Sequence, residues 1–248
     1  MIPKKIHYFW FGNNPKPEIV EKCLESWKKY FPEYEIIEWN ETNYDVTKCA
    51  YVKEAYECRK WAFVSDYARF DILYHYGGIY FDTDVEVLKK FPPQIFENHA
   101  FTGVESTNVI APGLVYACEK GDAIIKEILD DYETSRFLIN GKQNVKTVNT
   151  RVTAILERMG FVPDGTFQVI NGLAIYPAEY FCGYNLDLQE PDITKNTITI
   201  HHYAGSWMQG KDLAYLKARK ILQKIIGKKN FMRLQNFVRK IKYGKQSV

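Results

Sequence analysis

Residues 77–84 read Gly-Gly-Ile-Tyr-Phe-Asp-Thr-Asp, an apolar run that stops on two carboxylates, Asp82 and Asp84. Strand side chains alternate in direction, so carboxylates at i and i+2 point the same way if the strand persists. Two aligned anions repel each other and make structural sense with a cation between them. A hard divalent ion such as Mg²⁺ or Mn²⁺ suits such a pair, with further oxygens supplied by a diphosphate. The spacing points to an enzyme that uses a nucleotide-activated donor.

Three further groups bear on the same chemistry. Ser65-Asp66-Tyr67-Ala68-Arg69 places an acid and a base on one face of a helix. Exposed, such a pair is a weak intrahelical ion pair. Beside a cleft, the acid would accept from donor hydroxyls and the base would offset phosphate charge. His201-His202 closes a strand that can direct one imidazole inward, and neutral imidazole is a good Mn²⁺ ligand. The alternative is a buried, hydrogen-bonded histidine. Trp10, just before a glycine turn, is either a stacking platform for a base or a core residue.

The elements that must position these groups alternate between strand and helix. A strand at Ile6–Phe11 precedes a helix at Pro17–Tyr30, whose Ile19, Cys23, Leu24 and Trp27 share a face. A strand at Tyr34–Trp39 follows, then helix throughout 48–76, stopped by Gly77-Gly78. Ile79–Phe81 carries the Asp pair and Val85–Leu88 resumes extended structure. Asp122–Tyr132 and Val148–Met159 read as helices, and Phe167–Ile170, Leu173–Tyr176 and Thr197–His202 as strands. This alternation predicts an α/β sheet with ligands at strand C-terminal ends.

At 248 residues, with 46% hydrophobic and 25% charged content, the chain is an ordinary globular protein. Its 18 Tyr and 5 Trp fit either a tyrosine-rich core or flat platforms for bases and sugar rings. Five cysteines without a Cys-x-x-Cys pair argue against a disulfide framework or structural zinc. No apolar leader or run of about 18 apolar residues is present, so the expected location is cytoplasmic. Gly-x-Gly-x-x-Gly and P-loop patterns are absent, which excludes a dinucleotide Rossmann site and a P-loop NTPase.

From Lys211 to Val248 there are twelve Lys/Arg and one acidic residue, whereas the other 210 residues carry 21 basic and 29 acidic groups. The expected division is a main domain at 1–210 and a basic amphipathic tail at 211–248. In the tail, apolar residues at helical spacing oppose lysines and arginines. That pattern fits peripheral attachment to an anionic membrane, on the inner face of the cell membrane, or a helix pair packed on the domain. No nucleic-acid motif accompanies the charge, and no nucleic-acid partner is expected.

Taken in order, four motifs resemble the Asp-x-Asp glycosyltransferases of family 32. They are Ile2-Pro3-Lys4-x-Ile6-His7-Tyr8-x-Trp10-Phe11-Gly12, Ser65-Asp66-x-x-Arg69, Leu73-Tyr74-x-x-Gly77-Gly78-Ile79-Tyr80-x-Asp82-x-Asp84, and His201-His202-x-x-x-Ser206-Trp207. The resemblance implies a GT-A fold, a single Rossmann-like domain with a mixed central sheet. It also implies retaining, Mn²⁺- or Mg²⁺-dependent transfer of a hexose from a UDP- or GDP-sugar to a saccharide or lipid-linked saccharide. Surface-polysaccharide synthesis, of capsule or lipopolysaccharide type, is the implied setting.

Carried over by position, Trp10 would stack on the base, Asp66 and Arg69 would hold the sugar, and Tyr80 would lie near ribose or sugar. Asp82 would contact ribose and metal, Asp84 would ligate the metal, and Ser206 and Trp207 would touch the departing diphosphate. His202 is expected as the third metal ligand. A haloacid-dehalogenase-type phosphatase wants Thr or Val two residues after the second Asp, where Glu86 stands. A catalytically inactive nucleotide-sugar binder remains the non-enzymatic alternative.

Overall fold

The computed structural model describes residues 1–204 and 211–243. Its first half runs β1 (Lys5–Phe9), α1 (Glu18–Tyr30), β2 (Glu35–Trp39), α2 (Ala50–Glu57), α3 (Trp61–Tyr76), β3 (Gly78–Tyr80) and β4 (Val85–Val87). Then come β5 (Ala100–Gly103), β6 (Tyr116–Cys118), α4 (Ala123–Glu133), the short hairpin β7 (Leu138–Ile139) and β8 (Lys142–Gln143), and α5 (Val148–Arg158). The rest is β9 (Gln168–Ile170), β10 (Leu173–Tyr176), α6 (Ala178–Phe181), a second hairpin of β11 (Tyr184–Asn185) and β12 (Glu190–Pro191), and β13 (Thr199–His201). Two helices follow, α7 (Lys211–Ile226) and α8 (Lys228–Tyr243).

Seven strands form the central sheet in the order β2-β1-β3-β6-β5-β10-β9. β1 is parallel to β2 and β3, β6 is antiparallel to β3 and β5, and β10 is parallel to β5. The sheet is mixed, as expected, and β1, β3, β5 and β10 all run one way. Their C-terminal ends therefore share one edge, where Trp10, Asp82 and the chain leaving β5 emerge.

Alternation across the strands feeds two cores. Phe9, Tyr80, Tyr116, Leu173 and Ile175 face one side with residues of α2, α3, α4 and α5. Tyr8, Ile79, Phe81, Ala117 and Ala174 face the other, with Cys23, Leu24 and Trp27 of α1. α3 is apolar on nearly every side and buried from Tyr67 through Leu73, as a central helix must be. Gly77 and Gly78 end it at φ 62° and 107°, and a Cβ at Gly77 would lie 2.8 Å from the Lys120 nitrogen. Only glycine fits this sharp return into β3.

The helix expected throughout 48–76 is two helices. α2 closes with a Lys60 N–H to Ala55 carbonyl bond of 2.9 Å, and Arg59 adopts a left-handed φ of 55°. β5 and β6 were not expected. They are four and three residues long and buried, so no alternation of polar and apolar residues marks them.

Candidate active site

The Asp pair does not lie on the strand. β3 ends at Tyr80, and residues 82–84 form a turn closed by a 3.0 Å bond from Val85 N–H to the Asp82 carbonyl. The two carboxylates converge because β4 and β13 form an antiparallel ribbon outside the main sheet, with Val85 opposite His201. His201 Nε2 stands 3.1 Å from Asp84 Oδ1 and 3.8 Å from Asp82 Oδ2. The Ala204 N–H donates to Asp84 Oδ2 at 2.9 Å and pins the second carboxylate.

This geometry corrects the expectation for the histidines. His202 points away, its Nε2 2.8 Å from Glu86 Oε2, and Glu86 also pairs with Lys22. Neighbours in a strand face opposite sides, and the register with β4 assigns the inward side to His201.

Asp66 and Arg69 are buried and join the Asp pair directly. Arg69 Nη2 donates to Asp66 Oδ1 at 2.8 Å and lies 3.4 Å from Asp82 Oδ1. The guanidinium carbon sits 4.7 Å from the centroid of the Tyr80 ring, whose hydroxyl donates to Asp82 Oδ1 at 2.6 Å. Tyr80 is itself buried, so it acts on the site through Asp82. Arg69 Nη1 is buried without a hydrogen-bond partner among the described residues. A buried, unsatisfied cationic N–H beside a carboxylate suits a phosphate oxygen.

The charges explain which groups ionise. Burial pushes the Asp66 carboxyl up to about 6, despite Arg69. Burial would raise Asp82 as well, but Arg69 and His201 hold it well below the usual carboxylate range. Burial disfavours the His201 imidazolium, yet Asp84 and Asp82 push it up to about 10.

Two carboxylates and an imidazole are a donor set that suits a hard or borderline divalent cation. Among the described residues, no group of three or more His, Cys, Asp or Glu side chains is placed to hold a metal ion. A metal between Asp82 and Asp84 would need further ligands from a bound molecule.

Several contributors have no signature in the local sequence. Gly113 passes under Asp82, its carbonyl accepting from the Asp82 N–H at 2.9 Å, and a Cβ there would collide with Asp82 Oδ2 and lie 3.2 Å from Arg69 Nη1. The first turn of α5 delivers the Val148 N–H to Asp66, and Asn149 Nδ2 donates to Glu105 Oε2 at 3.1 Å. Burial raises Glu105, and the nearby His201 charge opposes that rise. Trp10 is partly buried at the same sheet edge, with its indole N–H spent on the Asn14 carbonyl at 2.7 Å. Ser206 and Trp207 lie outside the described residues.

Residues 17–102 match the family model described as a glycosyltransferase sugar-binding region containing a DXD motif. That stretch holds Asp66, Arg69, Asp82 and Asp84. The chain is 28% identical to the "Subversion of eukaryotic traffic protein A" of Legionella pneumophila subsp. pneumophila (strain Philadelphia 1) over 166 aligned positions, 54% of this chain. It spans only 25% of that protein's length.

Similar solved structures include three glycosyltransferases. The PaToxG glycosyltransferase aligns with a TM-score of 0.49 at 21% identity over 63% of this chain and 69% of its own. A glycosyltransferase involved in glycosylation of the major capsid of PBCV-1 gives 0.47 at 13% identity, over 80% and 94%. The galactosyltransferase LgtC, in complex with donor and acceptor sugar analogs, gives 0.44 at 11%, over 81% and 87%.

Proposed function

We propose that this protein is a metal-dependent glycosyltransferase of the family 32 type. It would move a hexose from a UDP- or GDP-sugar to a saccharide or lipid-linked saccharide, with retention at the anomeric carbon. The observation that carries this reading is the buried chain Asp66–Arg69–Asp82, with Tyr80 and His201 closing on the same carboxylate. The match of residues 17–102 to a DXD sugar-binding region supports it.

In this reading Asp82, Asp84 and His201 would hold Mn²⁺ or Mg²⁺, which supplies charge neutralisation for a diphosphate when bound. Arg69 turns its unsatisfied Nη1 to a phosphate oxygen, and Asp66 accepts from a sugar hydroxyl. Trp10 and Tyr80 belong to the donor end of the cleft, the first against the base and the second by fixing Asp82. Ser206 and Trp207 are assigned to the diphosphate by sequence.

The anomeric carbon–oxygen bond to phosphate breaks as the acceptor oxygen bonds to the same carbon. The acceptor hydroxyl's proton passes to the departing diphosphate. Arg69 stabilises the negative charge that develops there, in a site already oriented before the reaction. Capsule or lipopolysaccharide synthesis is the setting this donor chemistry fits.

Thermal unfolding tests the donor site. UDP or GDP at a hundredfold excess over Kd, with Mn²⁺, should add about 2.7 kcal/mol of stability. EDTA or Asp84→Asn should abolish that gain. Equal stabilisation with EDTA would sink the metal assignment, and no stabilisation by either nucleotide would sink the donor site.

A further inference from the structure

α7 and α8 form a hairpin around Gly227, which has φ 78°. Its inner side is attached to the main domain. Phe231 is buried, Arg219 Nη2 donates to the Asp187 carbonyl at 3.2 Å, and Lys228 Nζ lies 2.7 Å from Glu190 Oε1. Apolar side chains of both helices are nevertheless uncovered. Ile221, Leu222 and Ile225 of α7 are 59%, 39% and 74% exposed, and Leu234, Phe237 and Val238 of α8 are 39%, 61% and 48% exposed.

Residues at i, i+1, i+4 and i, i+3, i+4 each make one stripe on their helix. Water-facing helices normally bury such a stripe, and a patch of this kind marks an interaction surface. Lys220, Lys224, Lys229 and Arg233 are exposed beside it and form no ion pair among the described residues. Neither helix is long and apolar enough to cross a bilayer. A hairpin of this kind can lie in the plane of an interface.

We propose that α7 and α8 dock the protein on an anionic lipid surface. The six apolar side chains enter the acyl boundary while the four cations face the headgroups. Charge selects this occupant over a second copy of the chain. Residues 211–248 hold twelve basic groups and one acidic group, so face-to-face pairing sets like charges together, whereas an anionic bilayer complements them. The main domain has an excess of acidic groups and would be repelled by that bilayer, which leaves the tail as the point of contact.

Flotation of the full chain with vesicles reads this without any donor or metal, so it stands apart from the transferase reading. Phosphatidylcholine vesicles are compared with phosphatidylcholine carrying phosphatidylglycerol, at ~0.1 M and ~0.5 M salt. Partitioning should be at least about tenfold stronger on the anionic vesicles and weaken at high salt. Ile225→Asp with Phe237→Asp should lower it at least about tenfold with an unchanged thermal unfolding curve. Equal partitioning on both lipids, no partitioning, or an unaffected variant would overturn the proposal. A dimer in solution that this double variant dissociates would overturn it in favour of self-association.

Discussion

Asp82 is the residue on which the site converges, since Arg69, Tyr80, His201 and the backbone of Gly113 all meet it. Gly113→Ala therefore tests the site with a single methyl group. The new Cβ would push Asp82 and Arg69 apart, and misplacement by about 1 Å at a reacting centre costs on the order of 10²-fold in turnover. Donor turnover should fall by about that factor, with a loss of about 1–3 kcal/mol of stability from overpacking. The proximity of Asp66, Arg69 and Asp82 was legible because residue type and spacing put them on adjoining elements. The inward histidine was not, because pairing of His201 with Val85 decides it. Gly113, Glu105 and Asn149 were hidden for a related reason: they reach the site from remote segments.

At the scale of elements, β1, β2 and the α3–β3 turn are clasped by His7. Trp39 Nε1–H donates to its Nδ1 at 3.1 Å, so Nε2 carries the proton and donates to the Gly77 carbonyl at 2.9 Å. Burial pushes this imidazole down to about 4. The unfolded chain thus binds the proton first on acidification, and stability is lost as pH falls from about 6.5 to about 4, by about 3 kcal/mol. An NMR titration should find the His7 ring neutral at pH 5, and a protonated ring there would contradict the clasp.

α5 is set by a side-chain cap, with Thr147 accepting from the Thr150 N–H. Thr147→Ala should cost about 1 kcal/mol in a denaturant titration. It should also raise the KM for donor, because the same turn presents Val148 to Asp66. Strongly periodic helices such as α1, α4 and α5 were readable within a residue or two. The break between α2 and α3 was not, because Arg59 adopts a left-handed conformation that its residue type does not announce.

For the whole molecule, parallel β1, β3, β5 and β10 place their ends on one edge, and the buried ion network of Asp66, Arg69 and Asp82 lies there. The basic hairpin α7–α8 is attached near β11 and β12 through Lys228 and Glu190. The α/β class and mixed sheet followed from alternating elements and ordered motifs. The central position of β5 and β6 did not, since strands this short are recognised by their neighbours. The measurement that bears most directly on the account is nucleoside diphosphate release from a panel of UDP- and GDP-sugars, with Mn²⁺ or EDTA, beside Asp84→Asn. Slow Mn²⁺-dependent release from one donor, lost in the variant, is the expected result. Release that persists with EDTA or in Asp84→Asn would contradict it.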